Sequence, residues 1–202
     1  MTHRNIIILF IIFLVVVAGC GKPVPTEVEN SVIDTSGGPI QIAYKTEDTI
    51  VKKIRHGEVI ITPVAKYKVA GKLARKRSYS QWVGKVTPIF DLVLIWGKLA
   101  EPENEKYFTY GRSGWTYKSE GPLAMSYIKS HLGRYYVYPA NDNIRKAVNT
   151  VKKKQKIILE GFLINTKLKY KGKFSRTVGR LEPGWCKFFY VEKIRIENNV
   201  YK

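Results

Sequence analysis

The chain is poor in the side chains that most chemistry needs. Its 202 residues hold two cysteines, three histidines and two methionines, and only 16 acidic residues against 35 basic ones. Two thiols cannot supply the several bridges of a disulfide-stapled domain, so the fold must rest on a hydrophobic core. The histidines show no His-x-x-x-His spacing and the cysteines no Cys-x-x-Cys, so neither a metal nor a cofactor is expected. Gly111-Arg112-Ser113-Gly114 lacks the flanks of a P-loop or a dinucleotide fingerprint. The apolar run Ile6–Val17 is shorter than the roughly 20 residues a transmembrane helix needs. Scarce acid leaves a formal net charge of +19, which draws polyanions unless the cations merely solvate the surface.

What is present begins at the N-terminus. Arg4 precedes Ile6–Val17, and Val17-Ala18-Gly19-Cys20 follows: a basic region, an apolar region and small residues at a cleavage point. Val17-Ala18-Gly19-Cys20 resembles the lipobox of bacterial lipoproteins. That resemblance implies cleavage before Cys20, a diacylglyceryl (palmitoyl-type) group on its thiol, and attachment to the cell envelope. Several acyl chains hold a protein at a membrane where a single one does not. In this signal class Gly21, in place of Asp, points to the outer membrane. Lipidation would consume Cys20, leaving Cys186 alone in the strand-like run Trp185–Tyr190, where a buried, inert thiol is expected.

Three segments are therefore expected: a signal peptide over 1–19, a flexible tether over 20–39, and a β-rich domain over 40–202 with sub-halves near 40–120 and 121–202. The tether is read from its Pro, Thr, Ser, Gly and Glu, and it ends at Ser36-Gly37-Gly38-Pro39.

Beyond it, alternating apolar residues predict strands over Ile40–Tyr44, Thr49–Ile54, Glu58–Thr62 and Val64–Leu73. His56-Gly57 reads as a hairpin turn, Gly71 as a bulge or bend, and Arg75-Lys76-Arg77 as the close. Ile89–Gly97 is nearly all apolar and predicts a central strand buried on both faces. Asp91 within it is a turn cap or a buried carboxylate, with the cap favoured. Residues 106–118 are strand-like, and 122–131 fit a short helix, with Pro122 in its first turn, or a strand. One helix is well specified near 142–153: Asn141 or Asp142 caps it, Ile144, Ala147, Val148 and Val151 form its apolar stripe, and Lys152-Lys153-Lys154 complements its dipole. Three strands follow, over Lys156–Lys167, Lys169–Thr177 (with a turn at Lys171-Gly172) and Trp185–Ile196, with a bulge at Gly161. The whole predicts a mainly β (α+β) fold, an OB-like or small partly closed β-barrel with one helix.

Pro139-Ala140, Leu159, Gly161, Ser175-Arg176-Thr177 and Cys186 resemble the C-terminal pattern of a group of exported bacterial proteins to which no activity is attached. Tyr136 replaces a histidine of that pattern, and Lys187 a glutamate.

Cations interleaved with aromatics mark a candidate binding surface: Arg112, Trp115, Tyr117 and Lys118, with Tyr107 and Tyr110 before them, then Arg134 and Tyr135 with Tyr136. Rings stack on sugars or bases while cations meet phosphate, although alternating aromatics are also good strand formers. An enzymatic reading takes Cys186 as nucleophile and His131 as base, oriented by Asp91 or Asn141, but no motif surrounds them. The expected function is a non-enzymatic, membrane-anchored interaction module for anionic envelope components or an envelope protein. The alternative is a nucleic-acid-binding OB-like domain serving DNA uptake.

Overall fold

The computed structural model describes residues 21–44, 46, 48–54, 57–79, 90–111, 114–170, 173–177 and 186–202. The signal segment 1–19, Cys20, Arg112 and the turns expected at His56 and Lys171-Gly172 lie outside them.

The fold is mainly β, with a few short helices. In chain order the elements are β1 (Glu27–Val28), β2 (Ile40–Ala43), β3 (Ile50–Ile54), β4 (Gly57–Ser78), β5 (Phe90–Ile95), a 3-10 turn (Gly97–Ala100), α1 (Pro102–Glu105), β6 (Phe108–Tyr110) and β7 (Trp115–Tyr117). There follow α2 (Met125–Ser130), β8 (Leu132–Pro139), α3 (Asp142–Thr150), β9 (Lys156–Tyr170), β10 (Lys173–Thr177), β11 (Cys186–Ile196) and β12 (Asn199–Tyr201).

β4, β5, β8, β11 and β9 pair in that order, and β9 returns to β4; every pair is antiparallel except β8 with β11. With α3 between β8 and β9, this is an OB-like, partly closed barrel. Its strands come from both 40–120 and 121–202. The interior is filled by alternate residues of each strand, among them Tyr67, Val69 and Leu73, Phe90, Leu92 and Leu94, Tyr135 and Val137, Leu159 and Leu163, and Phe189 and Val191. Glycine is required at Gly161, where φ is +154° and a side chain would strike the Tyr190 carbonyl. The bulge expected at Gly161 lies instead on the facing strand: Val191 pairs with Gly161 and Lys193 with Glu160, so Glu192 of β11 is the extra residue.

Several expectations need correction. Glu58–Thr62 and Val64–Leu73 are one strand of 22 residues, because Pro63 sits at a bulge where its missing N–H costs no ladder bond. Gly71 is no bulge; it lets β4 pass close to Ile95 and Leu94. α3 is capped by Asn141, whose side chain accepts from Ile144 N–H at 2.9 Å. Its C-terminal carbonyls, however, are taken by Lys76, which reaches Val148, Asn149 and Val151 from β4. The 122–131 segment yields the helix α2, but Pro122 precedes it, with Ala124 as N-cap.

Residues 21–39 are not a free tether. Asn143 accepts from Val24 N–H at 2.8 Å and donates to Val24 O at 2.9 Å. β1 adds to β12, an edge strand that sequence reading missed. Arg195, only 3% exposed, then spends every guanidinium N–H on this strap and its neighbour. Nη1 donates to Glu29 Oε2 (2.7 Å) and Ser31 Oγ (2.9 Å), Nη2 to the carbonyls of Glu29 and Ser31, and Nε to Glu197 O (2.9 Å). Ile33 and Thr35 are buried, and Thr35 O accepts from Gly97 N–H at 2.7 Å. The polar composition that suggested a tether is satisfied by hydrogen bonds that no periodicity announces.

Between β5 and β8 the chain inserts a small lobe. Leu99, Ala100, Phe108, Ile128 and Leu132 form a second core with Val93, Ile95 and Ala74 on the outside of the barrel.

Candidate binding face

Because Phe90, Leu92, Tyr135, Val137 and Phe189 point inward, their neighbours on the same strands point outward. Beside the inserted lobe, registration across four strands sets these outward residues in rows. Arg77 pairs with Asp91, Asp91 with Tyr136, and Tyr136 with Phe188; in the adjacent row stand Arg75, Val93, Arg134 and Cys186. Tyr138 and Tyr190 form the next pair along β8 and β11.

The centre of this face is an ion pair. Asp91 is wholly buried, and Arg134 donates from Nε to Oδ1 at 2.8 Å and from Nη2 to Oδ2 at 2.7 Å. Tyr79 adds its hydroxyl to Oδ2 at 3.3 Å. Asp91 is therefore the buried carboxylate and not the turn cap. The bidentate bond holds the guanidinium protonated and raises its pKa beyond that of an ordinary arginine. Arg134 also lies over the Tyr136 ring, 5.0 Å from its centroid.

The same pairing recurs around it. Arg75 lies 5.2 Å over Tyr110, and Arg77 5.0 Å over Tyr79. The Tyr136 and Phe188 rings are 5.2 Å apart, and Tyr138 is 6.5 Å from Phe188. At the far end Lys52 lies over Tyr190 and donates to the Ala140 carbonyl. Burial, with Cys186 alongside, pushes the Tyr136 hydroxyl up to about 12. Next to Tyr110 lies a groove lined by Phe108, Lys106, Lys153 and Lys154 together with Glu105, which pairs with Lys72. Among the described residues, Arg75, Arg77 and Arg134 stand around the buried Asp91, with aromatic rings between them.

The residues singled out from sequence divide sharply. Arg134 belongs to this face. Tyr135 does not: it is wholly buried in the barrel, its hydroxyl 3.2 Å from that of Tyr67, because it has the opposite strand parity to Arg134. Trp115 and Tyr117 pack on the core of the inserted lobe, with Trp115 stacked 6.1 Å from Phe108. Lys118 is exposed just beyond β7, and Arg112 lies outside the described residues. Tyr136 and Tyr110 belong to this face as expected, whereas Arg75, Arg77 and Phe188 are site residues that the sequence pattern does not single out. The Arg-x-Arg and Tyr-x-Tyr alternations are visible in sequence, but the register that aligns them is not.

Of the residues in the enzymatic reading, His131 and Asn141 make contacts of their own, while Asp91 and Cys186 both border Arg134. His131 stacks on Tyr127 at 3.6 Å and bonds the Tyr127 carbonyl through Nδ1 at 2.8 Å. Cys186 stands opposite Arg134 on β11, half-exposed instead of buried; Asn141 caps α3, and Asp91 holds Arg134. Among the described residues, no three His, Cys, Asp or Glu side chains converge. No protein-family model, curated protein or solved structure matches the chain.

Proposed function

We propose that this is a lipid-anchored, non-enzymatic binding module of the bacterial cell envelope that takes an extended polyanion on the outer face of β4, β5, β8 and β11. The observation that carries the reading is the convergence of Arg75, Arg77 and Arg134 with Tyr136 and Phe188 on one face. Guanidinia meet phosphate or carboxylate groups along a polymer, and the rings between them stack on its sugars or bases. The preferred ligand class is an anionic envelope glycan, a choice that the lipobox resemblance supports.

One observation favours a second reading, single-stranded nucleic acid. In OB-type barrels, ligand lies across the second and third strands of the ring, which here are β5 and β8, the strands that carry Asp91, Arg134 and Tyr136. Titrating the protein in parallel with a phosphate-bearing glycan and with a single-stranded oligonucleotide, at several salt concentrations, separates the two. Binding of either that weakens steeply with salt supports the polyanion face and identifies its class. No binding to both, or binding indifferent to salt, removes the reading.

A further inference from the structure

Lys152-Lys153-Lys154 is expected to complement the dipole of α3, but Lys76 already holds that place, donating to the carbonyls of Val148, Asn149 and Val151. The lysine run instead forms a pinned turn into β9. Lys154 N–H donates to Leu73 O at 2.8 Å, Gln155 N–H to Lys152 O at 3.2 Å, and Lys152 N–H to Gln155 Oε1 at 2.6 Å. Lys154 has a φ of +73°, in the left-handed region that glycine occupies without steric cost. The turn thus holds a long cation where backbone geometry alone selects glycine, as strained residues at ligand sites do.

Lys153 and Lys154 line an open groove of about 290 Å³ between this turn and the inserted lobe, and Lys106 joins them from the lobe. Glu105 is also in the lining, but it is bonded at 2.8 Å to Lys72, whose side chain is only 10% exposed. Lys106, Lys153 and Lys154 have no carboxylate partner among the described residues, so the groove stays positive. Its apolar lining is Ala74 and Phe108, both nearly buried, with Tyr110 beside them. Lysine stems extend such apolar walls while their charged heads stay in water.

We infer that this groove is a second binding site, separate from the arginine face, for a small phosphate ester. The ester's ring lies on Phe108 and Tyr110, and Lys106, Lys153 and Lys154 gather about its phosphate. The volume is at the lower end for small-molecule sites, roughly 300 Å³, so one ring and one phosphate fill it. Ammonium groups serve here as point charges on phosphate, without the planar fork of the arginine row. Tyr110 borders both sites, with Arg75 over its ring, but Arg77, Tyr136 and Phe188 are outside the groove lining. Neither the lipid anchor nor a polyanion on the arginine face is required for it.

The test titrates the full chain by calorimetry with phenyl phosphate, glucose-6-phosphate and inorganic phosphate. At least one ester should bind about ten-fold or more tightly than inorganic phosphate, and the one that does identifies the ring. Lys154→Gly should hold or raise the urea midpoint, because glycine fits the left-handed turn, and yet weaken the ester several-fold. A lysine with only a structural role would not separate the two readouts. Adding Lys153→Ala should bring the loss of affinity to about ten-fold or more, as charge-assisted contacts do. Arg77→Ala, on the other face, should change ester affinity by less than about two-fold. No saturable binding of either ester, or affinity unchanged in the lysine variants, overturns the inference. Inorganic phosphate binding as tightly as both esters overturns it too, since the ring then goes unrecognised. Loss of ester binding in Arg77→Ala also overturns it, by making the groove part of the arginine face.

Discussion

Arg134 covers Asp91 like a lid: the carboxylate has no exposure, the guanidinium bonds both of its oxygens, and about a quarter of the arginine side chain still faces solvent. A surface that must hold a cation in place without neutralising the whole face has this construction. The buried acid orients the arginine, and Arg75 and Arg77 beside it keep the face positive.

Removing Arg134 alone should strand a buried charge. Arg134→Ala is expected to lower stability by about 3–5 kcal/mol, as breaking buried pairs does. Arg134→Met with Asp91→Leu should recover most of that loss and still fail to bind polyanion. Urea unfolding of the three proteins is the measurement; a single variant as stable as wild type would show that the pair does not hold this face.

Arg77 is the cleaner probe of binding, because it is exposed and, among the described residues, lies over the Tyr79 ring alone. Arg77→Ala should leave stability within about 0.5 kcal/mol. It should weaken polyanion binding and flatten the log–log salt dependence by about 0.7 for one lost phosphate contact on a single strand. An unchanged salt slope would place the ligand elsewhere.

The strap depends on Arg195. Lysine offers three donors in place of five and no planar fork, so Arg195→Lys should release residues 21–36. Hydrogen exchange is the readout: the amides of Thr26 and Glu29, which donate to Val200 O and Asn198 O, should lose protection while β4 and β9 keep theirs. Unchanged protection would mean that β1 pairing suffices.

Buried tyrosines give the domain an alkaline limit. Burial pushes Tyr67 and Tyr138 up to about 12, against 10 in the unfolded chain. Between those values the native state keeps protons that the unfolded state releases, so stability falls as pH rises. The slope is about 1.4 kcal/mol per pH unit for each group. Burial lowers Lys76 and Lys187, which has the opposite sign: stability rises with pH up to the ordinary lysine value of 10.5. Urea midpoints should therefore be flat or slightly rising to about pH 10 and fall beyond it, less steeply in Tyr138→Phe.

Much of the barrel was legible because burial imposes a period. Apart from Asp91, Phe90–Ile95 is apolar because the barrel core covers one face and the inserted lobe much of the other. Ile144, Ala147 and Val148 mark α3 because that helix buries one stripe. The strap was illegible because its order comes from single polar bonds to Asn143 and Arg195, more than a hundred residues away. The binding face was half legible for a similar reason. Arg134 and Tyr135 are adjacent in sequence, but strand pleating sends one to solvent and the other into the core.

The most direct measurement is the salt dependence of polyanion affinity for the wild-type chain beside Arg75→Ala/Arg77→Ala, two outward residues whose loss leaves the Asp91–Arg134 pair intact. The expected result is tight binding at low salt with a log–log slope near −2 or steeper for the wild type, from about 0.7 per guanidinium-phosphate contact, and a slope nearer zero for the double variant. Identical slopes and affinities for the two proteins would contradict a ligand on this face.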